Sequence, residues 1–278
     1  MNFGGAEIIS DYNSSGIVIV PVPYDETSTW IKGADKGPDA ILNASPNLEF
    51  YDIETGTEVH KRGIYTLPPV TQKSSPGKLV EAVRNTALNL LEEKKFPVFI
   101  GGNHTVSIGS AMAFSEFFAD LSVLQLDAHT DLRQEYEGSP FNHACVMARI
   151  REHAPIVQAG IRSMSAEELP YADRERIFTA HDLYHDKTLY ETALGKLSRN
   201  VYITIDLDVL DPSLMPSTGT PEPGGPEYYE LMHFLKEVAR KRNVVGFDVV
   251  ELCPSSSNKA PDFVAAKIIY QLLSYIFQ

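Results

Sequence analysis

The sequence is poor in thiols and in positive charge. Its 278 residues hold two cysteines, Cys145 and Cys253, too few for a disulfide framework, which a chain of this length does not need. Lys and Arg number 24 against 37 Asp and Glu, a formal net charge of −13. That balance argues against nucleic acid, which is held mainly by cations that neutralise phosphates, and against an anionic membrane surface. No apolar run approaches the roughly 20 residues needed to span a bilayer. Residues 1–15 lack a basic stretch followed by an apolar one, so a cytoplasmic location is expected. There is no internal repeat, no low-complexity tract and no Gly-x-Gly-x-x-Gly. What is present in quantity is apolar sequence, 43% of the chain, enough for a buried core. No shift in composition marks a boundary, so one domain over residues 1–278 is expected.

Short β-rich apolar runs alternate with segments of helical period, the pattern of a parallel sheet covered on both faces. The runs at 16–22, 97–100, Leu121–Leu126, 156–159, 201–205 and 244–249 read as strands. Helices are expected at 78–95, with Leu79, Val83, Leu88 and Leu91 on one side, and at 105–118, 143–153, 226–240 and 261–276. Pro226 suits a first helical position. The turn-rich stretches 33–38, 134–142 and 211–225 read as the rim of a site.

The sharpest motif is Asp127-Ala128-His129-Thr130-Asp131, directly after the strand Leu121–Leu126. If the strand's alternation persists, its three polar residues point to one side at the carboxyl edge of the sheet, where open α/β sheets bind ligands. Taken alone, the motif also reads as two capping aspartates around a solvated histidine. Ile205-Asp206-Leu207-Asp208 ends a second apolar strand in two carboxylates on one side, an arrangement whose like-charge cost a bound cation removes. Gly101-Gly102-Asn103-His104-Thr105 is a third strand-to-helix junction. Its glycines permit a sharp turn and a close backbone approach to a ligand, and no lysine follows to make a phosphate loop.

Together these supply His104, Asp127, His129, Asp131, Asp206 and Asp208. Four carboxylates and two imidazoles exceed the needs of one tetrahedral zinc, and no thiolate takes part. Oxygen-rich donor sets suit Mn²⁺ or Mg²⁺, and two histidines favour manganese. With bridging carboxylates the set is large enough for two ions about 3.5–4 Å apart, which points to hydrolysis by metal-activated water.

In this order the motifs resemble those of the ureohydrolase family, which includes arginase and agmatinase. The likeness covers residues 101–104, 127–131, 203–212 and 246–254, with a looser match at Gly37-Pro38-Asp39-Ala40-Ile41. It implies a three-layer α/β/α fold around a central parallel sheet, a homo-oligomer (trimer or hexamer), and two Mn²⁺ per subunit. By resemblance His104, Asp127, Asp131 and Asp206 would hold one ion and Asp127, His129, Asp206 and Asp208 the other. Glu251 matches the residue that grips the substrate guanidinium, and His143 the histidine that passes a proton to the leaving amine. Asn103 departs from the acid usual beside the metal histidine and is expected to orient that imidazole by a weaker hydrogen bond.

The expected substrate is a small cationic guanidine. The loop Glu135-Tyr136-Glu137-Gly138-Ser139-Pro140-Phe141-Asn142 is acidic and aromatic, unsuited to the α-carboxylate of arginine. The motifs around 130–133 and 219–225 look more like agmatinases than arginases. Agmatine is therefore the expected substrate, with Glu135, Glu137 and Glu222 as candidate contacts for its far end. N1-aminopropylagmatine fits the same logic. Guanidinobutyrate, guanidine, arginine and a catalytically silent metal-binding protein remain as alternatives.

Overall fold

The computed structural model describes residues 1–8 and 11–278. Eight strands form one sheet: β1 Ile17–Val22, β2 Ile64–Thr66, β3 Phe96–Gly101, β4 Leu121–Leu126, β5 Ile156–Ile161, β6 Ile177–Thr179, β7 Asn200–Asp206 and β8 Asn243–Val250. Their order is β2-β1-β3-β8-β7-β4-β5-β6, and every pairing is parallel. The helices are α1 Gly37–Ala44, α2 Pro76–Glu92, α3 Val106–Phe117, α4 Val146–Ile150, α5 Ala180–His185, α6 Leu189–Gly195, α7 Tyr228–Lys241 and α8 Ala260–Ile276.

Alternation along each strand divides the core into two layers. Val201, Ile203 and Ile205 of β7 join Ile41, Leu235 and Ile269, so α1 and α5–α8 cover that face. Tyr202 and the other faces of β1, β3 and β4 meet Val83, Ile108, Phe114 and Met147 of α2–α4. Fully buried parallel strands have no polar face, which is why they read as nearly continuous apolar runs. The result is the expected three-layer α/β/α architecture.

The chain leaves β4 toward β5 and leaves β7 toward β8, in opposite directions along the sheet. The adjacent pair β4 and β7 thus brackets a topological switch point, where a crevice opens at the carboxyl ends of the strands.

Several local expectations change. Helix α2 starts earlier, at Pro76, because Ser75 caps it by accepting from the Lys78 amide. Within α2, Leu90 is buried and Leu88 only half-buried. The helix expected at 143–153 is a 3-10 turn, His143–Cys145, followed by the five residues of α4. Pro226 does not open α7: Glu227 is the N-cap and Pro226 precedes it. Gly37 and Pro38, assigned to a turn-rich loop, begin α1. β2, β6, α5 and α6 are too short to carry a period.

Candidate metal centre

Four consecutive strands of the sheet, β3, β8, β7 and β4, each end in a residue singled out in the sequence. His104 stands between β3 and α3, Glu251 directly follows β8, Asp206 ends β7 with Asp208 in the next 3-10 turn, and 127–131 follow β4. All four aspartates, His104 and Glu251 are buried.

The two strand-end motifs do converge, though not through a persisting pleat alone. β4 stops at Leu126, a bend at Ala128 and a parallel bridge from His129 to Ser163 follow, and Asp131 is held at φ +52°. Glu251 is also left-handed, at φ +66°. Such backbone costs on the order of 1–3 kcal/mol per residue and persists where surroundings over-determine it. The surroundings are visible for Asp131. Glu168 Oε1 accepts from Thr130 Oγ1 and the Leu132 amide, both at 2.7 Å, so neighbours on either side are pinned. Bonds to main-chain amides fix the other carboxylates: Asp127 Oδ1 accepts from His129 N (2.6 Å), Asp206 Oδ1 from Asp208 N (2.9 Å) and Asp208 Oδ1 from Ala128 N (3.1 Å).

His104 Nδ1 lies 3.0 Å from Asp131 Oδ2, 3.1 Å from Asp127 Oδ2 and 3.4 Å from Asp206 Oδ2. It is buried and has no hydrogen-bond partner. His129 Nδ1 lies 3.0 Å from Asp208 Oδ2 and 3.6 Å from Asp127 Oδ1. Two donor groups, His104–Asp127–Asp206 and Asp127–His129–Asp208, each have ligand atoms within 4.8 Å of one another and share Asp127. An imidazole nitrogen without a bond among three carboxylate oxygens suits a cation between them, and the donor set fits a hard divalent ion.

The charges shift as such crowding requires. Burial raises Asp206, and Asp208 and Asp127 beside it raise it further. Asp131 is pushed up to about 7, by burial and then by Asp127. Burial works against a charge on His129, but Asp208 and Asp127 outweigh it and lift it to about 12. Burial raises Glu251 to about 8, and burial drops His143 to about 4.

The tautomer of His104 is set from behind. Thr204 Oγ1 donates to buried Asp248 Oδ1 at 2.6 Å, which commits its proton to the stronger acceptor. Its oxygen is then left to accept from His104 Nε2 at 2.9 Å, so Nδ1 is the nitrogen that faces the carboxylates, and against the effect of burial Asp127 and Asp131 hold the imidazole's pKa well above its ordinary value. Tyr202 donates to Asp248 Oδ2 at 2.6 Å. Neither Thr204 nor Asp248 was assigned a role from sequence. The available signal was a polar residue inside each of two apolar runs, Ile203-Thr204-Ile205 and Phe247-Asp248-Val249.

Asn103 does not orient the imidazole, contrary to expectation. Its amide donates to Thr27 Oγ1 at 2.6 Å and its carbonyl accepts from Thr105 N, tying down the stretch after β1. The close approach allowed by Gly102 is to the same stretch: a Cβ there would sit 1.9 Å from the Tyr24 carbonyl oxygen.

A cavity of about 210 Å³ opens onto the carboxylates, and His129, Asp131, His143 and Glu251 line it. Glu251 Oε1 accepts from the His104 amide at 2.7 Å. Of the expected acidic contacts, Glu135 and Glu137 are not in the lining, and Glu222 instead lies 3.8 Å from His129 Nε2. Sequence reasoning missed the rim: Trp30, 69% exposed, Met164, 42% exposed, and Ile31. Arg133, also at the cavity, is engaged by Glu167 at 3.1 Å and lies over the Tyr136 ring.

A carboxylate-rich, two-histidine donor set at the switch point of a three-layer α/β/α sheet, facing a cavity lined by a glutamate and a histidine, is the arrangement of a metal-assisted hydrolase. The chain belongs to the arginase family, whose family model matches residues 15–274. It is 36% identical to an N1-aminopropylagmatine ureohydrolase of Synechocystis, over 97% of this chain and 92% of that protein. It is 38% identical to one of Thermus thermophilus, over 94% and 90% of the two chains. The crystal structure of the agmatine ureohydrolase of Thermoplasma volcanium matches with TM-score 0.90 and 28% identity, covering 99% of this chain and 94% of that one. No helix among the described residues is long and apolar enough to cross a membrane.

Proposed function

We propose that this protein hydrolyses the guanidino group of N1-aminopropylagmatine, releasing urea and the corresponding polyamine, as one hydrolase domain that works as a cytoplasmic homo-oligomer. The carrying observation is the rim of the cavity. Trp30, Ile31 and Met164 expose apolar surface at its mouth, while the acids lie inside. A long polymethylene cation matches both: its methylenes cover the rim, and an ammonium can sit over the indole face. The likeness to the N1-aminopropylagmatine ureohydrolases of Synechocystis and Thermus supports the same choice. Agmatine is the second reading, supported by the likeness to the agmatine ureohydrolase of Thermoplasma volcanium.

In this reading His104, Asp127, Asp131 and Asp206 hold one Mn²⁺, and Asp127, His129, Asp206 and Asp208 the other. Bound there, the pair would supply Lewis acidity and a water of lowered pKa. Glu251 receives the guanidinium. One of its oxygens is anchored on the His104 amide. A planar guanidinium against a carboxylate fixes the orientation of its carbon. His143, held neutral by burial, accepts a proton at its imidazole and delivers it to the departing amine.

The test is urea release with Mn²⁺ from N1-aminopropylagmatine, agmatine, arginine and guanidinobutyrate. The aminopropyl compound is expected to give the highest kcat/KM. Fastest turnover of arginine or guanidinobutyrate would refute the amine-tail assignment, and fastest turnover of agmatine would select the second reading.

A further inference from the structure

Arg162 follows β5 and turns its side chain beneath the carboxylate cluster. Its Nη2 donates to the carbonyl oxygens of Asp208 (2.6 Å), Glu222 (2.8 Å) and Leu210 (3.4 Å). Nη1 donates to those of Gly160 (3.0 Å) and Val209 (3.2 Å), and Nε to that of Glu222 (3.3 Å). A guanidinium has five N–H donors in a fixed fork. Here they serve five main-chain carbonyls from three separate segments, and none of these partners is a carboxylate. Burial disfavours the charge, and the fields of Asp208, Asp127, Glu222 and Asp211 act the other way. A half-buried cation given over to carbonyl groups is unusual, since such groups are ordinarily paired.

Two of those segments belong to the candidate centre. One presents Asp208, and the other runs from Gly219 and Thr220 on the cavity wall to Glu222 beside His129. By contrast, none of the hydrogen bonds of Arg162 reaches His104 or Asp131, the two residues proposed for the other ion alone.

We infer that Arg162 is a positioning residue for one of the two ion positions only, the one that includes His129 and Asp208, and that it locks that position to the 219–222 wall of the substrate cavity. This rests on the reading that these carboxylates hold two ions. The guanidinium fixes the main chain from Asp208 to Leu210, so the angle of the Asp208 carboxylate is set by a group that never touches the ion. Its charge also offsets the repulsion among the carboxylates when no ion is present. The two positions are therefore unequal: the His104 side is held by strand ends and a buried hydrogen-bond chain, and the His129 side depends in addition on the Arg162 guanidinium.

Arg162→Lys separates the two effects, because lysine keeps the charge but cannot reach five carbonyls from a fixed fork. Titration of metal-free protein with Mn²⁺, followed by calorimetry, is expected to show one ion bound about 10- to 100-fold more weakly and the other unchanged, the range typical of lost partners behind metal ligands. Hydrogen exchange over residues 207–211 and 219–224 should accelerate in the variant, with the sheet unaffected. Two ions bound as in the unsubstituted protein, or both weakened equally, would overturn the assignment. Should Arg162→Lys not fold, the unsubstituted protein supplies the test. On chelation the amides of 207–211 and 219–224 should lose protection together, and independent exchange of the two segments would refute the lock. If the unsubstituted protein binds no Mn²⁺ at all, the metal reading fails, while exchange of the two segments still tests the clamp.

Discussion

Replacing Thr204 by valine removes one oxygen from the interior with almost no change of shape. That oxygen accepts from His104 Nε2 at 2.9 Å, donates to Asp248 Oδ1 at 2.6 Å and lies 3.2 Å from Ser107 Oγ. Without it His104 keeps a buried N–H that has no acceptor, at a cost of about 1–3 kcal/mol. Asp248 retains Tyr202 at 2.6 Å and Ser110 at 3.5 Å but loses one of two short donors, which adds a similar amount for a charged acceptor. No cavity opens, so the polar loss stands alone, and the sum is about 3 kcal/mol of folding stability. Ion affinity should fall as well, by about 10- to 100-fold, because the imidazole is no longer held in the tautomer that leaves Nδ1 free.

Two measurements check this. Urea denaturation of metal-free Thr204→Val should give an unchanged m value and a midpoint lower by the amount corresponding to about 3 kcal/mol. Calorimetry with Mn²⁺ should show the loss of affinity on the His104 side. Thr204→Ser keeps the hydroxyl and removes a methyl group, so it should lose about 0.8 kcal/mol and bind ions normally. If valine costs no more than serine and binds Mn²⁺ equally well, the hydrogen-bond chain from Asp248 to His104 has no energetic content.

Other consequences are simpler. Asp127→Asn should abolish ion binding at both positions, since Asp127 is common to both donor groups, and metal analysis showing either position unaffected would remove the bridging role. His143→Ala should retain both ions and lose about 10²- to 10⁴-fold in kcat, the usual contribution of a positioned proton carrier. Trp30→Ala should raise KM for N1-aminopropylagmatine more than for agmatine, with kcat little changed, because in the proposed binding mode the rim meets only the tail; equal effects on both would dissociate the rim from specificity. Saturating Mn²⁺ should stabilise the fold by about 2.7 kcal/mol per ion at 100 times Kd, measured as a rise in melting temperature that a chelator reverses.

How much of this was legible in the sequence follows from what kind of physics placed each part. The parallel sheet was legible because buried strands must be apolar along their whole length, and the carboxylates at strand ends were legible because they interrupt that rule. The strand's alternation does not act alone: β4 ends at Leu126, and Asp127, His129 and Asp131 are gathered with a bend at Ala128, a bridge from His129 to Ser163 and left-handed backbone at Asp131. The residues on either side of Asp131 are pinned by Glu168, 37 residues further on. The same distance in sequence hides the groups behind the candidate ligands. Thr204 and Asp248 sit on neighbouring strands, 44 residues apart, and meet only because β7 and β8 are paired in register, Thr204 opposite Asp248. Asn103 was misassigned for a related reason. Adjacency to His104 in sequence suggested contact, but at a strand-to-helix turn successive side chains diverge, and Asn103 turns toward Thr27. The candidate ligands come from strand ends and can be read along the chain, whereas the residues that aim them come from whatever the sheet order brings alongside. Knowing the order β3-β8-β7-β4 therefore adds something that no refinement of motif reading supplies, because only that order puts a buried carboxylate from β8 behind a threonine of β7 and, through it, behind a histidine that follows β3.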